Sequence, residues 1–199
     1  MNAGLFYLGD MTTTLETERL VLRPISMDDA PDIQRLFNDW EVVKWLADVV
    51  PWPYPDNGAE EFLSRVLVDV EKGTRYSWAI MLRADPEHCL IGVIELFPNA
   101  EDDHRGFWLG SAYHNQGLMR EAVAVVNDFA FEVLNLDALL LNNAEPNVAS
   151  HRLKERSGAE ILRIQEDEPF VSGRYPCVRW RLTREAWRAN RQRFVTIHR

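Results

Sequence analysis

Cysteine is scarce in this 199-residue chain: Cys89 and Cys177 stand far apart and fit no metal-ligand spacing. Two such thiols, neither in a local motif, suit a reduced, cytoplasmic protein rather than a cysteine-based catalyst or metal site. Long hydrophobic runs are missing as well. None approaches the roughly 20 residues that cross a bilayer, and the opening "MNAGLFYLGD" carries no basic leader, so it is not read as a secretory signal. Positive charge is in deficit, with 22 lysines and arginines against 31 aspartates and glutamates and a formal charge of −9. That balance argues against a nucleic-acid-binding surface and permits a cationic substrate. The dinucleotide fingerprint G-x-G-x-x-G is absent, and no lysine follows a glycine in P-loop spacing. Internal repeats, low-complexity blocks and linkers are lacking too.

What the chain does have is core-forming material. Hydrophobic residues make up 46%, with seven tryptophans and nine phenylalanines, enough for one well-buried domain. "ERLVLRPIS" alternates as a strand with Leu20 and Leu22 on one side. Ser26 has the character of a helix N-cap, with Asp28 and Asp29 in the first turn and Ala30, Ile33, Leu36 and Phe37 at helical spacing. "WLADVVPWPYPDNG" has too many prolines for a regular element, and "AEEFLSRVLVDVEKG" predicts a helix closed by Gly73. Short apolar runs follow ("YSWAIMLR", "CLIGVIELF", "RGFWLGSAY"), split by turns as in an antiparallel meander. A long buried helix from about Leu118, a strand at "ALLL", a helix "NVASHRLKERSG" ending at Gly158 and a last strand "YPCVRWRL" complete the order. The expected division is an N-terminal extension over 1–14, one mixed α+β domain over 15–187 and a basic tail over 188–199.

The segment "YHNQGLMREAV" joins a strand to that long helix. The first turn of a helix points unpaired N–H groups outward, and with the helix dipole they favour an anion, above all a phosphate. Gly117, lacking a Cβ, would let a diphosphate lie against the main chain. Arg120 sits where a cation is electrostatically unfavourable, and a bound polyanion would reverse that sign. A plain turn glycine and a solvated arginine account for the segment equally well.

Taken together, "ERLVLRPIS", "IGVIEL", "FWLGSAYHNQGLMREAV", "NNAEPNVASHRLKERSGAE" and "RWRLTREAW" resemble the GNAT superfamily of acetyl-CoA-dependent N-acetyltransferases. The resemblance is to the branch of ribosomal-protein N-terminal acetyltransferases (RimJ/RimL-like), over roughly residues 15 to 187. It implies an acyl-CoA N-acyltransferase fold: a central, mostly antiparallel, twisted sheet, splayed at the cofactor site and flanked by helices. The family's diphosphate signature, Gln/Arg-x-x-Gly-x-Gly/Ala, falls on His114, Asn115, Gln116, Gly117, Leu118 and Met119, departing at His114 and Met119. By the resemblance this loop and Arg120 hold the diphosphate of acetyl-CoA, and Leu109, Gly110 and Ser111 offer backbone groups to its pantetheine arm. Gly110 suits a bulge, a close approach or simple packing. Asn147 and Ser150 read as a helix N-cap and a first-turn residue; the family adds a pantetheine contact for Asn147 and protonation of the departing thiolate by Ser150.

The reaction so implied is direct transfer of acetyl from acetyl-CoA to a primary amine, without a metal. Oxyanion stabilisation would come from backbone N–H groups. Glu95, a carboxylate in an apolar strand, is the first candidate for general base, with water-mediated deprotonation its rival and a solvent-facing glutamate the plain alternative. His104, His114 and His151 are able bases at turns or helix surfaces. Trp45, Trp52 and Tyr54 either line the amine site or cap the core. The acceptor is a peptide N-terminus or a small-molecule amine, with no nucleic acid or membrane partner; a homodimer is compatible with the sequence but not dictated by it. The alternatives are a non-catalytic CoA-binding or regulatory module on the same fold and a different phosphate-ligand enzyme.

Overall fold

Leu20 and Leu22, both fully buried, fix the inward face of the strand on which the first sheet is hung. The computed structural model describes residues 13–196. An antiparallel sheet takes β1 (Leu15–Glu16), β2 (Leu20–Pro24), β3 (Tyr76–Leu82), β4 (Leu90–Leu96) and β5 (Arg105–Leu109) in that order. A second antiparallel sheet, ordered β6, β8, β7, comprises β6 (Ala138–Ala144), β7 (Glu160–Phe170) and β8 (Gly173–Thr183).

Both faces of the first sheet are covered, which is why β3 and β4 are almost continuously apolar. On one face Ala79, Val93 and Trp108 pack with Ile33 and Phe37 of α1 (Ala30–Phe37), Val42 and Val43 of α2 (Trp40–Val43), and Leu63 and Val66 of α3 (Gly58–Glu71). On the other, Trp78, Ile80 and Ile94 meet Val123 and Val126 of α4 (Leu118–Asp128). The same cluster runs on into Leu139, Leu141 and Trp180 of the second sheet and into Trp187 and Phe194 of α6 (Arg184–Val195). One core therefore ties the two sheets together through their shared helices. α5 (Val148–Ser157) closes against α6 and β8.

β5 and β6 are neighbours that share no ladder. Just before β5, the His104 amide donates to the Leu140 carbonyl at 2.8 Å, and the Leu140 amide donates to His104 Nδ1 at 3.0 Å. The imidazole thus stands in for a missing main-chain acceptor. Beyond this clasp the strands part, and the C-terminal end of β5 and the turn after β6 both open on one cleft.

One element goes unassigned in the sequence and one expectation is corrected by the fold. The residues after Gly158 form a full strand, β7, that polar and charged side chains conceal, because it lies at a sheet edge with most residues exposed. The arginine-rich C-terminus is no tail: α6 runs to Val195 and buries Trp187 and Phe194, so the boundary expected at residue 187 falls inside a core helix. Of the extension expected over 1–14, residues 1–12 lie outside the described residues.

Candidate active site

The chain turns from β5 into α4 through a tight loop in which Asn115 and Gly117 both take left-handed backbone, with φ of 59° and 75°. Gly117 is the N-cap of α4. Among the described residues, no acceptor takes the backbone N–H groups of residues 115 to 120. Six consecutive free donors at the start of a helix make an anion nest. Two guanidiniums flank it: a Cβ placed on Gly117 would lie 3.6 Å from Arg19 Nη2 and 3.8 Å from Arg120 Nη2. Arg19 also donates through Nη1 to the Gln116 carbonyl at 3.0 Å and through Nε to Glu121 at 2.7 Å. Arg19, at the start of the first sheet, carries no sequence signal tying it to a loop about a hundred residues away.

His114 does not face the nest. Its Nε2 donates to the Leu109 carbonyl at 2.9 Å, which places a hydrogen on that nitrogen and pins the loop to the strand end. The Leu109 amide is left for another partner. Gly110 donates its own amide to the Ile91 carbonyl, and Leu109 is paired with Gly92, so Leu109 directs its N–H and C=O away from β4, toward the gap. Phe107, two residues earlier, has the same orientation.

The cleft that follows has a volume of about 670 Å³, within the range of small-molecule sites. Leu109, His114 to Arg120, Asn147 and Ser150, all named from the sequence, line it together with Trp45. Phe107, Trp108, Tyr113 and Glu41 line it without having been foreseen. Gly110 and Ser111 are not among its walls. Gly110 has ordinary extended angles, and a Cβ there would press on Leu36 Cδ2 at 2.8 Å, so its glycine serves packing. The Ser111 hydroxyl donates to Asp39 at 2.5 Å, and that bond holds the Asp39 carboxyl below the usual range. The bulge lies instead in β4, where the register shifts opposite Ile80 and Met81. Gly92 there is obligatory, because a Cβ would collide with the Trp108 carbonyl oxygen and come within 3.0 Å of Leu109 Cα.

The aromatic residues divide. Trp45 packs edge-on against Tyr175 at the cleft wall. Trp52 lies against Trp40 on the surface, outside the cleft. Tyr54 is a core residue, 8% exposed against Phe37, and burial pushes its phenol up to about 12. Glu95 also sits apart from the cleft walls. Its Oε1 accepts from Arg75 Nη2 at 2.6 Å, from Arg75 Nε at 3.0 Å and from the Ser77 hydroxyl at 2.9 Å. His104 is spent on the sheet clasp, and His151 packs on Trp180.

At the far side of the gap, Asn147 caps α5 by accepting from the Ser150 amide at 3.1 Å. Ser150, 6% exposed, accepts in turn from Lys154 Nζ at 2.7 Å. Lys154 is 2% exposed, and burial, aided by repulsion from Arg105, brings its ammonium down to about 7. The sequence marks Lys154 as an ordinary surface lysine of a polar helix, and nothing in its spacing sets it apart.

A nest for a polyanion, a slot between parted strands and a buried hydroxyl beyond it are what an acyl-CoA thioester would need. The acetyltransferase (GNAT) domain model matches residues 19–160. The chain belongs to the GNAT acetyltransferase family. YjcK of Bacillus subtilis (strain 168), described as a probable N-acetyltransferase, is 26% identical over 170 residues, covering 80% of this chain and 90% of YjcK. RimJ of Mycobacterium smegmatis, solved with a CoA disulfide, superposes with a TM-score of 0.73 at 16% identity, covering 88% of this chain and 87% of that one. The ribosomal-protein-S5-alanine acetyltransferase of Vibrio fischeri gives 0.72 at 18% identity, covering 88% and 98%. As a GNAT member the protein is an acetyl-CoA-dependent N-acetyltransferase acting on an amine. Among the described residues no helix is long and apolar enough to cross a membrane.

Proposed function

We propose that the amides of residues 115–120, with Arg19 and Arg120, bind the diphosphate of acetyl-CoA, and that the acceptor is the α-amine of a peptide. The run of six free N–H groups beside two guanidiniums carries this reading. The pantetheine arm enters the gap between β5 and β6, and the Leu109 amide faces the thioester carbonyl, where it stabilises the developing oxyanion. Holding amine and thioester together in one cleft supplies much of the acceleration. Ser150 gives its hydroxyl proton to the departing sulfur.

The amine approaches from the α2 side, where Glu41 and Trp45 line the cleft. Glu41 pairs with Lys44 at 2.6 Å but is largely exposed, so an incoming ammonium can share it. Glu95 is not assigned the base role, because it stands apart from the cleft walls with its Oε1 occupied by Arg75 and the Ser77 hydroxyl. Deprotonation of the amine falls to water. A peptide acceptor suits the roomy, partly aromatic cleft and agrees with the named activity of the Vibrio fischeri neighbour.

Calorimetry with acetyl-CoA tests the cofactor half, and thiol release tests the acceptor half. Peptides with free N-terminal alanine or serine should release CoA faster than polyamines or aminoglycosides. Faster release with a polyamine would overturn the acceptor assignment, and binding without release from any amine would leave a non-catalytic CoA module.

A further inference from the structure

A buried ammonium is costly, several kcal/mol even after relaxation, unless something repays it. Among the described residues no carboxylate is in contact with Lys154: the bond from its Nζ goes to the Ser150 hydroxyl, one helical turn back on the same face of α5. Its other neighbours are the Phe107 ring, 5.8 Å from Nζ, and the charges of Asp103 and Arg105 around the start of β5. Asp103 also feels Arg179 of β8, and the Cys177 thiol faces Lys154 from the same strand. Repulsion from Arg105 and attraction to Asp103 oppose one another, so the lysine is not placed there to neutralise a local charge.

The hydrogen-bond count gives the placement a purpose. An ammonium only donates, so Ser150 Oγ accepts from Lys154 and its own O–H must point elsewhere. Among the described residues no acceptor takes that hydrogen, and Ser150 lines the cleft. We propose that Lys154 is a positioning residue for thiol departure, which turns the Ser150 hydroxyl toward the cleft and keeps a positive charge behind it. This rests on the acetyl-CoA reading of the site.

The step balances. The carbon–sulfur bond breaks and its electron pair goes to sulfur; the Ser150 O–H proton passes to that sulfur, and an N–H of Lys154 restores the hydroxyl. Lys154 is left neutral and regains a proton from solvent between turnovers. The device works only while the lysine is protonated, below about 7, so its effect has a pH signature.

The test sets the pH profile of thiol release by the full chain beside the NMR titration of the Lys154 ε-amino group in the CoA complex. Lys154→Met keeps the length and removes the charge. Wild-type kcat should fall as pH rises through the lysine's own midpoint, near 7, with KM for acetyl-CoA unmoved, and K154M should be slower and lack that limb. The same limb in K154M, with CoA bound by both, would overturn the assignment. Absence of CoA binding by the wild type would instead overturn the acetyl-CoA reading, and this inference with it. Should K154M not fold, Asp103→Asn, at a half-buried loop position, removes the carboxylate that favours the lysine's charge. It should move the lysine midpoint, and the alkaline limb with it, to lower pH, and a limb that does not follow the lysine would overturn the proposal in the same way.

Discussion

Arg19 and Glu121, 102 positions apart, join the entry to the first sheet to the opening turn of α4 through an ion pair of 2.7 Å. Glu121 also accepts from the Arg19 amide at 2.8 Å and from the Thr17 hydroxyl. Burial opposes its ionisation, but the Thr17 and Arg19 bonds outweigh it and hold the carboxyl below its ordinary 4.5. The pair keeps the α4 terminus, and hence the free amides, in place.

Glu121→Ala should therefore lower stability by about 1–2 kcal/mol, since it removes the acceptor of Arg19 Nε, the Arg19 amide and the Thr17 hydroxyl. Thermal melting checks this, and CoA affinity should fall along with it, roughly tenfold for each 1.4 kcal/mol of lost loop order. The pH dependence has a definite sign. A carboxyl whose folded pKa is depressed contributes fully above its unfolded value and loses that contribution as pH falls through the folded one. Wild type and E121A should thus converge in stability as the solution is acidified below about 4.5, and an undiminished gap would contradict the argument.

Gly117 separates two effects that are usually confounded. A Cβ there would meet nothing closer than 3.6 Å, so the fold itself has room for one. The cost comes from φ of 75°, on the order of 1–3 kcal/mol for a β-branched residue, and from placing atoms where a phosphate would lie. Gly117→Val should lower CoA affinity by about tenfold or more, whereas Gly117→Asn, which tolerates left-handed backbone, should lose less. Calorimetry giving equal affinities for the two variants would show that backbone conformation is not what the loop needs.

The elements with strong local periodicity or a capping residue are legible in the sequence: the meander of β3 to β5, the start of α4 at Leu118, and the Asn147 cap of α5. Their determinants lie within a few residues of one another. What escaped depends on distance in the chain. Arg19 is recruited to the nest from about a hundred residues away, and Lys154 is buried among residues distant in the chain, its Nζ 5.8 Å from the Phe107 ring. β7 gives no signal because an edge strand need not alternate. Glu95, singled out as a carboxylate in an apolar strand, drew its meaning from Arg75, twenty residues upstream on the adjoining strand turn. The α6 segment looked basic and solvated because its two anchors, Trp187 and Phe194, are seven positions apart amid arginines.

The bulge in β4 yields a contrast between two strand-end glycines. A side chain on Gly92 would strike the Trp108 carbonyl, which is backbone and cannot move without parting β4 from β5. A side chain on Gly110 would press mainly on the end of Leu36, which can rotate. Gly92→Ala should cost about 1–3 kcal/mol by overpacking and disturb CoA binding through Leu109, while Gly110→Ala should cost clearly less. Denaturant melts of both variants decide it, and equal losses would mean the bulge does not set the strand end.

Lys154 ties catalysis to a stability cost that pH can expose. Its ammonium titrates near 7 in the folded protein against 10.5 ordinarily, chiefly because it is buried. Between those values the unfolded chain binds a proton that the folded chain does not, so this residue makes stability rise with pH across that interval. Below about 7 both states are protonated and the burial penalty is constant and complete. Lys154→Met removes the penalty, and should raise the melting temperature at pH 6, on the order of 1–4 kcal/mol in favour of the fold. The gain should shrink as pH climbs toward the ordinary lysine range. A variant that is more stable yet slower in thiol release marks a residue kept for the reaction rather than for the fold; a variant less stable at pH 6 would mean that the ammonium is held there by favourable contacts.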